Sequence, residues 1–170
     1  MKLSYYLLCL VFIIGFSCKE NKAVDKKEET LEISIKENET QMKALMQKHL
    51  DAVSNKDIET LKSTMSPKGY MRLILPQSEI MEGVDAFIKY HIDWFAVDNG
   101  WTFETKILET KVGATLGMAI IEIVYREPDR NGEPYFNRMV VSYVLEKTDG
   151  NWYVIKDHAS SVEKSTDKTE

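Results

Sequence analysis

Two side chains in the C-terminal half of this chain, Glu122 and His158, are suited to moving protons. In the strand predicted there, Glu122 points to the same face as the apolar residues Met118 and Val124. Loss of water raises the pKa of a carboxyl group in such a place unless the group is paired. Glu122 and His158 are therefore the candidate catalytic residues, as general acid or base. The alternatives for Glu122 are an edge position that reaches water, or a structural pair with Lys156 or His158.

Two turn signals give a strand register for these residues. Asn131-Gly132 and Asp149-Gly150 are typical of two-residue hairpin loops. With such loops, Glu122 lies opposite Val141, and Val141 lies opposite His158. The strand spacing then places the attachment points of Glu122 and His158 about 10 Å apart on one face. A slip of one residue at either turn moves a whole strand's side chains to the other face.

The same register brings possible ligand contacts together. It places Asn137 and Tyr143 near Glu122, and it gathers Arg138 and Asp157 with Tyr125 on the opposite face. Arg138 can bind a carboxylate or phosphate, or it can simply pair with Asp157. The candidate ligand-binding residues are Tyr70, Trp94, Arg138, Tyr143, Asp157 and His158.

Metal, cofactor and nucleic-acid functions find no support in the sequence. His49 and His91 lie on apolar helix faces, where most histidines are hydrogen-bonded core residues, and their separation matches no metal-site spacing. No glycine-rich phosphate loop or nucleophile elbow is present. The net charge of -5 gives no electrostatic reason for binding nucleic acid. We expect no metal, no cofactor and no nucleic-acid partner.

The elements that carry these residues follow the order helices, then strands. Helical spacing of apolar residues predicts a helix from about Thr40, a short one capped by Asn55 or Asp57, and a third after Gly83. A short strand over Tyr70 to Leu75 is predicted between the second and third helices. Strands are predicted at Trp101–Glu109, Val112–Tyr125, Tyr135–Lys147 and Asn151–Ser160. This order predicts an α+β domain with a four-stranded antiparallel meander.

The last hairpin carries a family resemblance. The segment from Asp149 to Ser160, with Trp152 after the turn and Asp157-His158-Ala159-Ser160 at its end, resembles SnoaL-like members of the nuclear transport factor 2-like superfamily. Arg138 stands where many such members carry arginine. The resemblance implies N-terminal helices packed in a strongly bent antiparallel sheet, a cone with an internal cavity. It does not decide function, because the superfamily includes isomerases, dehydratases, cyclases and adaptors.

The N-terminus predicts export. Lys2 and the apolar run from Tyr5 to Phe16 are typical of a secretory signal, and the run is shorter than the roughly 20 residues that a spanning helix needs. The sequence Gly15-Phe16-Ser17-Cys18 followed by Lys19 resembles the lipobox of bacterial lipoproteins. The resemblance implies lipidation at Cys18 and a bilayer anchor in the cell envelope, at the outer membrane on its periplasmic or surface face. An ordinary cleaved signal is the alternative.

The resulting domain plan has four parts. Residues 1–18 are the lipoprotein-type signal, 19–39 a charged flexible tether, 40–162 the SnoaL-like domain, and 163–170 a polar tail. Lys and Glu dominate the tether, which buries too little apolar surface to order itself.

Three hypotheses of function follow. The leading one is a membrane-tethered module that binds a small apolar molecule or peptide in its cavity. The first alternative is an isomerase or dehydratase that uses Glu122 or His158 for proton transfer, and the second is a non-catalytic interaction subunit. Both alternations of the strands at Val112–Tyr125 and Tyr135–Lys147 are apolar, so both faces need cover. A homodimer formed through the sheet is therefore expected.

Overall fold

The computed structural model describes residues 20–167, with side chains described from Ser34 onward. The predicted signal at 1–18, Cys18 with its lipid, and the last three residues of the predicted tail lie outside the described residues. No helix within the described range is long and apolar enough to cross a membrane.

Three helices and six strands make up the domain. The elements in chain order are α1 (Glu20–Ser54), α2 (Ile58–Ser63), β1 (Arg72–Ile74), β2 (Ile80–Glu82), α3 (Val84–Phe95), β3 (Thr102–Val112), β4 (Leu116–Arg130), β5 (Glu133–Thr148) and β6 (Asn151–Lys164). One sheet holds all six strands in the order β2-β1-β6-β5-β4-β3. The predicted α+β class is confirmed. Strand β2 was not predicted, and β1 runs parallel to β6 rather than antiparallel.

Helix α1 is longer than the sequence indicated. The segment 19–39 was predicted as a flexible tether, but α1 already begins at Glu20. Lys and Glu form helices well, and pairs four residues apart, such as Glu39 with Lys43 at 2.6 Å, support the helix from its surface. Side chains 34–37 are exposed, so this part of the helix is solvated. Packing against the sheet begins at Asn38, whose amide donates to the Gly113 carbonyl at 3.2 Å.

The C-terminal boundary also differs from the prediction. Strand β6 runs to Lys164, two residues into the predicted polar tail. A turn then follows, in which the Lys164 backbone N–H donates to Asp167 at 2.7 Å.

The hydrophobic core lies between α1, α3 and one face of the sheet, called here the inner face. From α1 it receives Met42, Met46, Leu50 and Val53; from α3 Phe87 and Ile88; from the sheet Leu73, Ala119, Ile121, Ile123, Val141, Leu145 and Val154. Helix α1 approaches β4 closely at Gly117, where any Cβ would collide with the sulfur of the buried Met42. The opposite side, the outer face, carries Met118, Glu122, Val140 and His158.

Bulges break the regular register of the sheet. Leu108 is the extra residue of β3, and Ile155 and Val162 are extra residues of β6. Beside the Asn131-Gly132 turn, β4 has one residue more than β5. Each bulge bends its strand and increases the local twist, and this curvature lets the sheet fold around the helices.

Candidate functional site

A cavity of about 350 Å³ opens between the inner face of the sheet, α1 and α3. Its volume lies at the lower end of the roughly 300–1,000 Å³ found for small-molecule pockets. The polar side chains of its lining are His49, Gln77, His91, Arg130, Asn137 and Asp157, and the aromatic ones are Tyr90, Trp94, Phe103, Tyr125, Tyr135 and Tyr143. Such a lining combines apolar walls with a few polar groups that can orient a ligand.

Asp157 is the buried acid of this cavity. It lies on β6 between Tyr143 of β5 and Leu73 of β1, and only 7% of its surface is exposed. Its Oδ1 accepts no hydrogen bond. Burial raises the pKa of Asp157 from 3.8 to about 8, so the carboxyl group is protonated through the acidic and neutral range.

Two phenols stand near this acid. The pKa of Tyr143 is raised well above 10.0, first by burial and then by the negative charge that Asp157 can carry. The pKa of Tyr90 on α3 is raised for the same two reasons. Both hydroxyl groups therefore remain protonated at neutral pH and can donate hydrogen bonds.

Two histidines complete the helical side of the cavity, and both are neutral. Burial lowers the pKa of His49 to about 3, with a smaller contribution from His91, and burial lowers that of His91 to about 4. His91 Nδ1 donates to the Phe87 carbonyl at 2.8 Å. The Thr64 hydroxyl donates to the Leu61 carbonyl at 2.6 Å, so His49 Nδ1, 2.8 Å from that hydroxyl, is the donor to it. Each ring thus carries its proton on Nδ1 and keeps Nε2 as an acceptor.

Because both rings stay neutral in the folded protein, their contribution to the stability of the fold decreases as the pH falls. An unfolded imidazole ionises near 6.5, whereas the folded rings stay neutral down to about 3 and about 4. Below 6.5 the unfolded chain therefore binds more protons. The stability contributed by His49 and His91 is present above this value and is lost as the pH falls toward their folded pKa values.

Asn137 is a second buried polar group in the lining. It is 8% exposed, and its Oδ1 has no hydrogen-bond partner. An unsatisfied buried polar atom costs about 1–3 kcal/mol. Asn137 and Asp157, both in the cavity lining, therefore each keep a buried oxygen that no described group of the protein satisfies.

Arg130 stands in the lining with its charge already paired. Its guanidinium donates to Glu127, and it lies over the Tyr135 ring, 3.4 Å from the centroid. Glu127 also accepts from the Tyr125 hydroxyl at 2.7 Å. The bond from Arg130 holds the pKa of Glu127 below its usual value, so Glu127 is ionised. This ion pair leaves little net charge at its end of the cavity.

An aromatic wall centres on Trp94. Its ring stacks on Trp101 at 4.6 Å between centroids and meets Phe103 edge-on at 5.5 Å. Lys56 lies over the Trp101 ring at 4.2 Å from the centroid. The wall is a packed cluster and also lines the cavity.

The residues selected from sequence divide between the two sides of the sheet. The structure places Trp94, Tyr143 and Asp157 in the cavity lining. Tyr70, just before β1, is 64% exposed and lies outside the lining. Glu122, Arg138 and His158 are on the outer face.

The outer-face placement corrects the proton-transfer hypothesis for Glu122 and His158. His158 is exposed. Glu122 lies 3.4 Å from Arg138, which also bonds to Glu163 at 3.1 Å and not to Asp157. Since neither Glu122 nor His158 lines the cavity, the structure gives them no role in chemistry there.

Two bulges explain the error. The extra β4 residue beside Asn131-Gly132 pairs Glu122 with Val140 instead of Val141. The extra residue Ile155 pairs His158 with Ser142 instead of Val141. Glu122 and His158 still share a face, as predicted, because both strands slip by one residue relative to β5. The residues of β5, however, now share each face with a different set of β4 and β6 residues than predicted.

The regrouping assembles the cavity. Tyr143 and Asn137, expected beside Glu122, join Asp157 and Tyr125 on the inner face, whereas Arg138 joins Glu122 outside. Sequence reasoning missed Tyr90 and Arg130 and treated His49 and His91 as core residues. The available signal was the β5 alternation, because two polar side chains, Asn137 and Tyr143, interrupt the otherwise apolar set of Met139, Val141 and Leu145. Residues 20–167 contain no cluster of three or more His, Cys, Asp or Glu that could hold a metal ion.

Replacing Asp157 with Asn is expected to make the protein more stable than the wild type at high pH and equally stable in acid. The folded carboxyl keeps its proton up to about 8, while the unfolded one loses it near 3.8. Between these values the folded wild type binds more protons, so its stability falls as pH rises, by up to about 1.4 kcal/mol per pH unit. Chemical denaturation of both proteins across this range measures the difference.

The control for this comparison is Asp93→Asn on α3, whose carboxylate is exposed and paired with Lys89. This variant should follow the wild-type pH dependence. A stability difference between wild type and Asp157→Asn that stays constant with pH would contradict the burial argument.

Comparison with known proteins agrees with this architecture. Residues 42–163 match the family described as SnoaL-like domain. Among curated proteins, none matches the chain.

Solved structures share the fold at low identity. A hexachlorocyclohexane dehydrochlorinase from Novosphingobium barchaimii is 12% identical, with a TM-score of 0.68 over 79% of this chain and 92% of that chain. A ketosteroid isomerase-like protein from Erwinia carotovora is 16% identical, with a TM-score of 0.61 over 73% and 95%. The association domain of C. elegans CaMKII is 24% identical, with a TM-score of 0.56 over 75% and 98%. These likenesses show the fold. Because the family match covers most of the sequence, this chain belongs to the family of SnoaL-like domains.

Proposed function

We propose that this domain binds a small, largely apolar organic molecule in the cavity between α1, α3 and the inner face of the sheet. The observation that carries the proposal is the buried Asp157 carboxyl group, whose Oδ1 has no partner, in a cavity walled mostly by aromatic and apolar side chains. Leaving a buried polar group unsatisfied costs about 1–3 kcal/mol, and a ligand group hydrogen-bonded to the Asp157 carboxyl would offset part of this cost. The open volume of about 350 Å³ argues against a cavity filled by its own side chains.

A second candidate function, proton transfer on a bound molecule, is favoured by the same acid. Asp157 replaces Glu122 and His158 as the proton carrier in this proposal. With a pKa of about 8 it can both hold and release a proton near neutral pH. Solved structures of this fold include a dehydrochlorinase and a ketosteroid isomerase-like protein, so the fold accommodates chemistry on small molecules.

Ala159→Phe is expected to abolish ligand retention. Ala159 lines the cavity next to Val141, and the larger ring would occupy ligand space. Native mass spectrometry of protein purified from its own host should show a bound small molecule on the wild type and its occupancy reduced about tenfold or more on the variant.

The matched control is Ser160→Phe, the same ring on the next residue, which is exposed and faces away from the cavity. It should retain the ligand. A wild type without any bound molecule, or an Ala159→Phe variant that keeps it, contradicts cavity binding. Deuterium exchange at a carbon of the retained molecule in heavy water, absent in Asp157→Asn, would select the enzyme function over binding alone.

We further propose that the protein is exported and held at the cell envelope by a lipid on Cys18. The support is the sequence of residues 1–18 together with the charged sequence at the start of α1, whose described side chains 34–37 are exposed and can hold the domain away from a bilayer.

Cys18→Ala should release the protein from the membrane, because Cys18 is the only thiol left after the predicted cleavage. Fractionation of host cells should move most of the protein to the soluble fraction, while Ser17→Ala, which keeps a small residue before the cysteine, should leave it membrane-bound. Unchanged membrane retention of Cys18→Ala would refute the anchor.

We also propose that two copies associate through the outer face of the sheet. Leu116 is 57% and Met118 is 37% exposed there, beside the half-buried Ile120 and Val144. Arg138 between Glu122 and Glu163 offers both signs of charge, which a two-fold interface can match. The structural likeness to the association domain of C. elegans CaMKII supports a role of this fold in assembly.

Sedimentation in mild detergent should therefore show a dimer for the wild type and a monomer for Ile120→Asp, since a buried unpaired carboxylate would weaken self-association about tenfold or more. Ile80→Asp, the same change at a 59% exposed isoleucine on the edge strand β2, should stay dimeric. A wild type that sediments only as a monomer would exclude this interface.

A further inference from the structure

The part of the cavity lining that the structure describes offers an unpaired acidic group but no unpaired cation. Of the described residues in its lining, Asp157 is the only carboxyl group, and its Oδ1 is buried without a partner. The one guanidinium, that of Arg130, already donates to Glu127. A ligand that enters therefore meets one acidic group with no cation beside it.

The groups packed around Asp157 supply no compensating positive charge. From β5 comes the Tyr143 phenol, from α3 the Tyr90 phenol, and from β1 the apolar Leu73. His49 on α1 and His91 on α3 also line the cavity, and burial keeps both rings neutral at physiological pH.

The walls favour a positive charge as well. The faces of Tyr, Trp and Phe rings attract cations, most strongly where water is excluded. Six aromatic rings line the cavity, and one of them, Tyr135, already holds the Arg130 guanidinium 3.4 Å from its centroid. Behind the lining, Trp101 stacks on Trp94 and holds Lys56 at 4.2 Å.

We infer that the ligand of this cavity is a small organic cation, a protonated amine that donates hydrogen bonds to the Asp157 carboxylate while its apolar part packs against Trp94 and Tyr143. The inference rests on the proposed ligand-binding function and names the ligand class. A carboxylate ligand would find no unpaired cation among the described lining residues, because the Arg130 guanidinium already donates to Glu127. A neutral hydrogen-bond acceptor could accept from the protonated Asp157 carboxyl. It would lack the attraction that the aromatic faces exert on a cation.

Binding of such an amine is linked to a proton. At neutral pH the free protein carries Asp157 protonated, and the free amine carries its own proton. Formation of the ammonium–carboxylate pair releases the Asp157 proton to solvent, and this carboxyl O–H bond is the only covalent bond that breaks. Affinity for the amine should therefore rise with pH and level off once Asp157 is ionised in the free protein.

The test compares two probes of nearly equal shape on the full chain in mild detergent, phenethylamine as the cation and 2-phenylethanol as its neutral counterpart. Tryptophan fluorescence should report both, because Trp94 lines the cavity and stacks on Trp101. At slightly alkaline pH the amine is expected to bind about tenfold more tightly than the alcohol or better. Calorimetry in buffers of different ionisation enthalpy should show proton release with the amine at neutral pH and none with the alcohol.

The variants separate the charge from the shape of the site. Asp157→Asn should remove the preference for the amine and leave the affinity for the alcohol within about a factor of two or three. Asp93→Asn, an exposed aspartate of α3, should change neither affinity. The proton release and pH profile of the wild type test the inference even where Asp157→Asn fails to fold.

Three results would overturn the inference. The first is binding of the alcohol as tight as that of the amine, the second is an amine affinity that does not depend on pH, and the third is a preference for the amine that persists in Asp157→Asn. Binding of the alcohol alone refutes the cation but leaves small-molecule binding intact. Binding of neither probe also refutes the cation, whereas the retained molecule in native mass spectrometry decides the proposed function separately.

Discussion

The extra residue Ile155 in β6 determines which side chains the cavity receives. Before the bulge, Trp152 and Val154 point inward; after it, Asp157 and Ala159 do. A regular strand would continue the inward set at Lys156 and His158. The bulge therefore places a carboxylic acid and a small residue where a lysine and a histidine would stand, and the size and acidity of the cavity both follow from it.

The acid at this position is compatible with the fold because its surroundings keep it protonated. A neutral carboxyl group is far cheaper to bury than a carboxylate, and the phenol of Tyr143 beside it is neutral for the same reason. The neutral rings of His49 and His91 complete a set of groups that can exchange hydrogen bonds with a ligand without carrying charge. Such a site keeps polar groups without hydrogen-bond partners inside the protein, which lowers the stability of the fold, as is common at functional sites.

Patterns that repeat along the sequence predicted most of the fold. The apolar spacing after Gly83 predicted α3, which begins at Val84, and the Asn131-Gly132 and Asp149-Gly150 turns have the positive φ angles that such dipeptides favour. The Asp57 side chain caps α2 by accepting from the Thr60 N–H at 3.0 Å. The start of α1 was mispredicted because its charged residues suit a solvated coil and a solvated helix equally.

The content of the site was less accessible from sequence. Asp157, Tyr143 and Trp94 were selected, but the faces of β4 and β6 relative to β5 depended on two bulges that leave no trace in composition. Ile155 is apolar and follows Val154, so nothing marks it as the residue without a cross-strand partner.

The parallel pairing of β1 with β6 has a consequence for how the domain forms. Arg72 to Ile74 lie beside Lys156 to His158, which follow them by more than half of the domain's length. The acid-bearing β6 is the last of the six described strands in chain order, yet it lies between β1 and β5 in the sheet. Contacts of such sequence separation form late, since long loops must close first. The cavity is therefore complete only once β6 has joined both of its neighbours, and a molecule that binds there would stabilise only the finished domain.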